Sequence, residues 1–222
     1  SRSFSTSINY DKLAQNYIYG FTLQGFYTRL NNAFFQDPAG EDEFGEVFVK
    51  RNGNSAIVQG VTLDFRFNFN QKFQLESGIT YQKSEYNEPI VYSLDLPLRK
   101  EFLRTPEKYA FVTLDYFVSE KLNFTTNLVY TGPMDLVHMA GAPDQTEDMY
   151  FQSKSFNEIG FKLTYVQKVK KVAVKIEYSL GVKNITNDYQ NNFDTSKNRD
   201  SNFVYGPQTP RIFYFGLLLK SL

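Results

Sequence analysis

Apolar and polar residues alternate without exception in the stretch Val61-Thr62-Leu63-Asp64-Phe65-Arg66-Phe67-Asn68-Phe69-Asn70. Successive side chains of a β-strand point to opposite faces, so an extended chain here has one apolar face and one polar face. The same pattern returns within residues 73–82, 122–130 and 172–180. Long two-faced strands that repeat along a whole chain are typical of the wall of a transmembrane β-barrel.

The composition agrees with such a barrel and excludes several other classes of protein. The 222 residues include 22 Phe and 16 Tyr, and these aromatic side chains suit the two interfaces of a membrane. No run of roughly 18 apolar residues is present, which excludes a transmembrane helix. Without cysteine there is no disulfide, zinc–thiolate site or thiol nucleophile. The 24 basic and 24 acidic residues balance, so we expect no nucleic-acid partner.

The alternating pattern predicts nine strands, each long enough for a membrane crossing, which takes about 9–11 tilted residues. They cover residues 2–11, 16–31, 46–70, 72–86, 105–118, 120–132, 154–168, 171–184 and 208–220. The third is too long for one crossing. We expect its first part, Glu46–Arg51, to project beyond the bilayer and Asn52-Gly53-Asn54 to form a kink or bulge.

The predicted connections between these strands alternate between short and long. Tight turns are expected at 70–72, 119–121 and 168–171, and long segments at 32–45, 87–104, 132–153 and 185–207. This alternation puts all short turns at one end of the sheet and all long loops at the other, as in bacterial barrels with long extracellular loops. A soluble lipocalin-like barrel could sort its loops in the same way, whereas a sandwich would not.

The polar faces of the predicted strands carry charge, and the apolar faces carry almost none. In a small soluble barrel the apolar face would fill the interior, and strands would average about 5–6 residues. The longer strands here favour apolar faces toward lipid and polar faces toward the lumen, in cross-strand pairs or against a plug. The charged residues assigned to the lumen are Asp64, Arg66, Glu76, Asp115, Lys162, Lys175 and Glu177.

Nine is an odd number of strands, whereas single-chain bacterial barrels close with an even number. We therefore expect residues 1–222 to be the end of a larger antiparallel barrel, whose earlier strands lie outside this sequence. A barrel of about 22 strands would need more than twice this length of chain.

Several motifs resemble the C-terminal barrel of TonB-dependent outer-membrane receptors, particularly those of Bacteroidetes. They are Asn54–Leu63, Leu103–Tyr109, Tyr130–Met134 with His138–Gly141, and Gly181–Asn187 with Tyr205–Arg211. The last pair, Val-x-Asn-Ile-Thr-Asn followed by Gly-Pro-x-x-Pro-Arg, is the most specific. The chain departs from the family at Thr62, where Glu is common, and at Leu222, where Phe is common.

The resemblance implies a receptor that binds a scarce solute and imports it with energy from TonB. The solute would be an iron–siderophore, haem or cobalamin type of ligand, bound by the extracellular loops. The implied partners are outer-membrane lipid, the remaining barrel strands, an N-terminal plug, TonB through the plug segment and, for a glycan importer of the family, a surface lipoprotein. Since the plug and TonB box do not occur in these residues, this chain alone would not be the energised transporter. No resident cofactor is expected.

One predicted loop concentrates the soft ligand types of the chain. The single His and all three Met fall between positions 134 and 149, next to several acidic residues. Thioether and imidazole groups suit copper or haem iron, but packing within the loop is the favoured interpretation, and no metal site is assigned. The candidate ligand-binding residues of this loop are Met134, Asp135, His138, Met139 and Met149.

Three other functions compete with the receptor. A hydrolase would use His138 with a Ser or Asp partner, but one loop His without a recognisable nucleophile motif does not predict an enzyme. A complete small barrel would act as an anchor or adhesin. An importer of glycans, from the same family, would work with a surface lipoprotein. The His138 loop resembles receptors for metal chelates and cobalamin more than glycan importers.

Overall fold

The computed structural model describes residues 1–43, 45–142, 144–197 and 199–221. Within these ranges the chain is almost entirely β-structure, with one 3-10 turn at Lys170–Val172. In chain order the strands are β1 (Arg2–Leu13), β2 (Tyr17–Leu30), β3 (Phe34–Asp42), β4 (Gly45–Asn52), β5 (Ala56–Phe69), β6 (Phe73–Ile90), β7 (Arg99–Glu101), β8 (Lys108–Phe117), β9 (Leu122–Thr131), β10 (Asp135–His138), β11 (Met149–Gln152), β12 (Phe156–Val169), β13 (Val174–Lys183) and β14 (Ile212–Ser221).

Nine long strands form one antiparallel sheet in the order β1-β2-β5-β6-β8-β9-β12-β13-β14, which we call the wall. The short strand β7 pairs with β6 beside this path. Each wall strand pairs with the wall strands before and after it in the chain, as in an up-and-down barrel. The predicted antiparallel wall of nine strands is therefore confirmed.

The register keeps the two kinds of side chain on separate faces. Ile8, Leu23, Leu63 and Ile79 lie opposite one another across four neighbouring strands. One residue further along, Thr62 lies opposite Thr80, and their hydroxyls are 2.9 Å apart. Because a slip of one residue would exchange the faces, the alternation in the sequence determines this register.

Short turns join the wall strands at one end of the sheet. They cover residues 14–16, 70–72, 118–121 and 170–173. In the second turn Asn70 and Gln71 both have positive φ, of 51° and 58°, and the amide of Lys72 donates to the carbonyl of Phe69 over 2.9 Å. Two consecutive left-handed residues match the twist of a tight hairpin. The turns predicted at 70–72 and 119–121 are confirmed, and the turn predicted at 168–171 lies at 170–173.

The connections at the other end contain strands that the sequence did not predict. Predicted strand 46–70 is two strands, β4 and β5. β4 pairs in a hairpin with β3, which lies in the predicted loop 32–45. Pro38 and Gly40 interrupt the alternation in β3, which is why this segment was expected to be a loop. The expected break after β4 is present, where the amide of Gly53 donates to the carbonyl of Ala33 over 2.8 Å.

Other boundaries differ from the prediction for a related reason. The strand expected at 105–118 begins at Lys108, and the strand expected at 208–220 begins at Ile212. Pro106 and Pro210 stand just before these starts, and proline cannot donate to the ladder. The predicted loops 87–104 and 132–153 were also incomplete, since they contain the end of β6, β7, β10 and β11.

The buried core lies beside the loops rather than along the wall. Ala33, Ala56, Tyr86 and Ile90 form a cluster, against which Leu30, Phe35, Tyr92 and Phe102 pack. Apolar side chains of the wall, in contrast, are widely exposed, as Leu63 (44%) and Ile79 (55%) illustrate. Among the described residues, no helix is long and apolar enough to cross a membrane.

Candidate functional site

The four long connections, residues 31–55, 91–107, 132–155 and 184–211, lie at the end of the wall opposite the short turns, and we call them the rim loops. At their centre is the hairpin of β10 and β11, in which His138 lies opposite Met149. The His138 side chain is buried, and its Nε2 lies 2.9 Å from both carboxylate oxygens of Asp194. This pair joins the third rim loop to the fourth.

An aromatic stack surrounds the His138 imidazole. The ring of Phe203 lies nearly parallel to it, with 3.7 Å between centroids and 8° between planes. Phe151 and Tyr205 pack on Phe203 at 5.3 and 5.2 Å. The buried Gln190 donates to the carbonyl of Phe203 and accepts from the amide of Tyr205. These contacts pack Phe203 and Tyr205 of the fourth rim loop against the β10–β11 hairpin.

The structure places the five predicted ligand-binding residues in different surroundings. Met134 is buried with its amide bonded to the Ser153 hydroxyl, and Asp135 is half-buried in β10. Met149 is 45% exposed, while Met139 is half-buried. The described residues contain no group of three His, Cys, Asp or Glu side chains that could hold a metal ion. In this arrangement the His138 imidazole contacts Asp194, and a ligand-binding role for the five residues stays a prediction.

The sequence analysis did not identify Asp194 or Asp200, two acidic residues of the fourth rim loop. One oxygen of Asp194 accepts from the amide of Asp200 over 3.0 Å. Asp200 in turn accepts from the amides of Met139 (3.1 Å) and Asn202 (2.8 Å). The carbonyl of Asn202 accepts from the guanidinium of Arg104. A chain of hydrogen bonds thus connects His138 to Arg104, across segments that no sequence motif links.

Arg104 lies beside a cavity of about 370 Å³ between the β3–β4 hairpin and the second and fourth rim loops. The cavity is lined by the apolar or aromatic residues Phe34, Phe35, Phe48, Tyr86, Ile90, Tyr92, Phe102, Leu103, Val137 and Met139, and by the polar residues Gln36, Lys50, Arg104, Asp200 and Asn202. A mostly apolar cavity with a few polar groups is the usual form of a small-ligand site.

Two tyrosines that line this cavity are held by hydrogen bonds to backbone carbonyls. The rings of Tyr86 and Phe102 are 4.4 Å apart, and the Tyr86 hydroxyl donates to the carbonyl of Phe34. The Tyr92 hydroxyl donates to the carbonyl of Glu101 over 2.6 Å. Burial raises the pKa of Tyr92, so this hydroxyl stays protonated and remains a donor.

Asn184, in the motif Gly181–Asn187, ends β13 and organises the start of the fourth rim loop. This buried residue ends the strand with a positive φ of 49°. Its side-chain amide donates to the carbonyls of Asp188 and Thr209, and its side-chain oxygen accepts from the Thr186 hydroxyl and the Asp188 amide. One side chain therefore satisfies four groups at the start of the fourth rim loop.

The charged residues predicted for the lumen form different partnerships. Arg66 lies opposite Glu76 in the register but pairs with Asp11, two strands away, at 3.0 Å. Asp115 accepts from the Thr125 hydroxyl of the adjacent strand. Glu177 pairs with Lys175 on its own strand and with Lys220 on β14. Among described residues, Asp64, Glu76 and Lys162 take part in no salt bridge.

These features define the class of protein: an antiparallel barrel wall with short turns at one end and a structured set of rim loops at the other. A family model described as "TonB dependent receptor-like, beta-barrel" matches residues 1–187. The chain belongs to this family. A search of curated proteins found no match.

Solved structures share the fold at low sequence identity. The siderophore receptor PiuA from Acinetobacter baumannii is 16% identical, with a TM-score of 0.60 over 98% of this chain and 27% of that one. The ferric-catecholate import receptor Fiu from E. coli K12 is 16% identical, with a TM-score of 0.61 over 98% and 27%. The ferric enterobactin receptor PfeA from Pseudomonas aeruginosa is 15% identical, with a TM-score of 0.60 over 99% and 31%. The chain thus spans less than a third of these structures.

Family membership bears on three expectations from the sequence. The resemblance to TonB-dependent receptors is confirmed, and with it the location in the bacterial outer membrane. The expectation that the chain is not an enzyme is also confirmed, because the family consists of transport receptors.

Proposed function

We propose that this chain is the C-terminal part of a receptor that imports an iron chelate of the siderophore type across the outer membrane. The main support for the proposal is the arrangement of the rim loops. In this wall of a TonB-dependent receptor barrel, the rim loops fold together around a cavity. Binding residues concentrate on loops that a rigid scaffold positions. Such a receptor binds and passes its ligand without covalent chemistry.

The two faces of the wall have separate roles in this proposal. The apolar face, with Leu23, Leu63 and Ile79 in register, contacts lipid. The polar face, with Asp64 and Arg66, lines the lumen. This assignment is supported by energetics, because a charged side chain facing lipid at the middle of a barrel wall costs about 2–4 kcal/mol.

The remainder of the receptor supplies the other parts. Residues outside this chain provide the remaining strands, a plug inside the lumen, and the segment that contacts TonB. The choice of an iron chelate over haem, cobalamin or a glycan is supported by the solved structures of similar fold, which are named as siderophore or ferric-catecholate receptors. A surface lipoprotein belongs only to the glycan alternative.

The test uses the full-length receptor in its own bacterium. Cells with and without the gene are grown under iron limitation, and uptake of radioactive iron is measured for a panel of ferric siderophores, with and without a protonophore. We expect the deletion and the protonophore to abolish uptake of at least one chelate. Unchanged iron uptake, together with lost growth on an oligosaccharide, would replace this proposal with glycan import.

A further inference from the structure

We propose that the apolar face of the wall holds one phosphorylated lipid of the outer leaflet at a defined site. Two arginines, Arg2 and Arg29, bind its phosphate, and a groove over Gly25 receives one of its acyl chains. The inference rests on the proposed function only for the contact between this face and lipid. The site lies on the outside of the barrel, away from the cavity between the rim loops.

The groove lies on the apolar face where β1, β2, β5 and β6 run side by side. Its floor is Gly25, which lies opposite Thr6. Among the described residues, a Cβ at Gly25 would come within 4 Å of the Thr6 methyl group alone, at 3.9 Å, so the space above Gly25 is open. Aromatic rings of Phe4, Tyr27 and Tyr81 border this space, and the volume of the groove is about 580 Å³.

The side chains around the groove are accessible from the lipid side. Phe4 is 70% exposed and Tyr81 is 52% exposed. A hollow in a lipid-facing surface lets an acyl chain bury more apolar area than the flat wall beside it would, which favours one bound chain over its neighbours in the bilayer. The groove therefore suits the hydrocarbon part of a lipid.

Two arginines stand beyond the groove on the side of the rim loops. Arg2 lies opposite Arg29, one step further along the same face than the pair Phe4 and Tyr27. Like charges directly opposite each other on neighbouring strands destabilise a sheet. A guanidinium binds phosphate with two parallel hydrogen bonds, so one phosphate group between the two arginines would compensate both charges.

The two arginines have no acidic partner among the described residues. Both side chains are exposed, and neither takes part in a salt bridge there. Arg29 donates only to the Ser55 hydroxyl, over 3.4 Å. The first acidic residue along their row is Glu85, two strands from Arg29, and it pairs with Lys83 over 2.6 Å. The pair is thus free to bind an anion from the membrane.

The position of the arginines along the strand agrees with the level of the lipid headgroups. On this face of β1, the side chains between Arg2 and Lys12 are all uncharged: Phe4, Thr6, Ile8 and Tyr10. Ten positions at about 3.4 Å each, tilted by about 40°, span a height of about 26 Å, and the apolar band of a barrel is about 25 Å tall. Arg2 and Lys12 therefore lie near the two borders of the band. Because long loops mark the extracellular end, Arg2 meets the outer leaflet.

Native mass spectrometry on the delipidated full-length receptor in detergent tests the inference. Diphosphoryl lipid A is added at graded concentrations, and phosphatidylcholine, a zwitterionic lipid, is added in parallel. We expect one lipid A to bind at concentrations at which phosphatidylcholine does not. Arg2→Gln combined with Arg29→Gln should weaken this binding about ten- to a hundredfold. Lys12→Gln, which removes a cation of the same face at the opposite border, is the matched control and should bind as the wild type does.

Gly25→Leu tests the groove separately from the charge. A leucine on a lipid-facing strand should leave assembly intact, as heat-modifiable mobility on gels will report, but its side chain fills the space above Gly25. We expect lipid A binding to weaken about tenfold. Ala110→Leu adds the same side chain to the same face outside the groove, and it should have no effect on binding.

The outcomes separate this inference from the proposed function. If cells import ferric siderophores but lipid A binds the arginine and Gly25 variants as it binds the wild type, the lipid inference is wrong and the receptor proposal stands. If iron uptake does not depend on the receptor, loss of lipid A binding in these variants alone still supports the lipid site. Equal binding of phosphatidylcholine, an equal loss in Lys12→Gln, or a receptor dimer that Gly25→Leu abolishes would each overturn the inference; the dimer would assign the groove to a second copy of the chain.

Discussion

The wall and the rim loops are stabilised in different ways. In the wall, ladders of backbone hydrogen bonds join nine strands, and apolar side chains such as Leu63 stay exposed because they are not packed against other parts of this chain. In the rim, single side chains such as His138, Gln190 and Asn184 are buried and satisfy specific partners. The wall therefore depends on a repeated pattern, and the rim on individual contacts. Substitutions should affect the two regions differently.

The largest effect is expected where charge enters the apolar face of the wall. Leu63→Lys places an ammonium group on the proposed lipid face, at a cost of about 2–4 kcal/mol near the bilayer midplane. We expect the amount of heat-modifiable receptor in outer membranes to fall severely. Thr62→Lys, the neighbouring position on the polar face, is the matched control and should assemble normally. Equal loss in both variants would contradict the assignment of faces.

The next effect is expected at the junction between wall and rim. Asn184→Ala removes the bonds to Asp188 and Thr209 and puts alanine in a left-handed conformation, so unfolding in detergent should require about 2–3 kcal/mol less. Asn184→Gly loses the same hydrogen bonds but tolerates the positive φ. Denaturant unfolding should therefore rank wild type, Gly and Ala in decreasing stability; Ala equal to wild type would show that this contact is dispensable.

Within the rim, Asp194→Ala should release the fourth loop without disturbing the wall. The substitution leaves the buried His138 imidazole without its partner, and we expect the free energy of local opening to fall by about 2 kcal/mol. Hydrogen exchange should then increase in residues 188–206 and stay unchanged in β5 and β6. Asp144→Ala, which removes an exposed acid of the neighbouring loop, is the control. Unaltered exchange in the fourth loop would count against the His138–Asp194 contact.

The smallest effect is expected on the polar face of the wall. Asp11 is exposed and Arg66 is half-exposed, so Arg66→Gln should change the free energy of unfolding by less than about 1 kcal/mol. The hydrogen bond from the Arg66 guanidinium to the Thr22 hydroxyl adds little to the free energy of unfolding when both groups are in contact with water. A loss as large as that of Leu63→Lys would indicate that Arg66 is shielded from solvent in the receptor, for example by a plug.

The sequence predicted the wall well and the rim loops poorly. Alternation of period two predicts a strand at each of the nine wall positions, although it joined β4 to β5, and the short turns are evident at positions such as 70–72. The strands β3, β7, β10 and β11 were missed because they are short or interrupted by proline and glycine, so that no periodic pattern emerges. Of the central rim contacts, His138 was noticed for its chemistry. Its partner Asp194 lies 56 positions away, and only the folded loops bring the two together.

In the proposed receptor, the side chains of residues 61–68 face lipid and an aqueous lumen in turn. This chain contains no cysteine. Once any cysteine elsewhere in the full-length receptor is replaced, single cysteines can be introduced at each of these positions, spin-labelled and examined in bilayers with oxygen and a water-soluble nickel reagent as relaxing agents. We expect strict alternation, with positions 61, 63, 65 and 67 accessible to oxygen and positions 62, 64, 66 and 68 accessible to nickel. Uniform accessibility, or the opposite alternation, would contradict it.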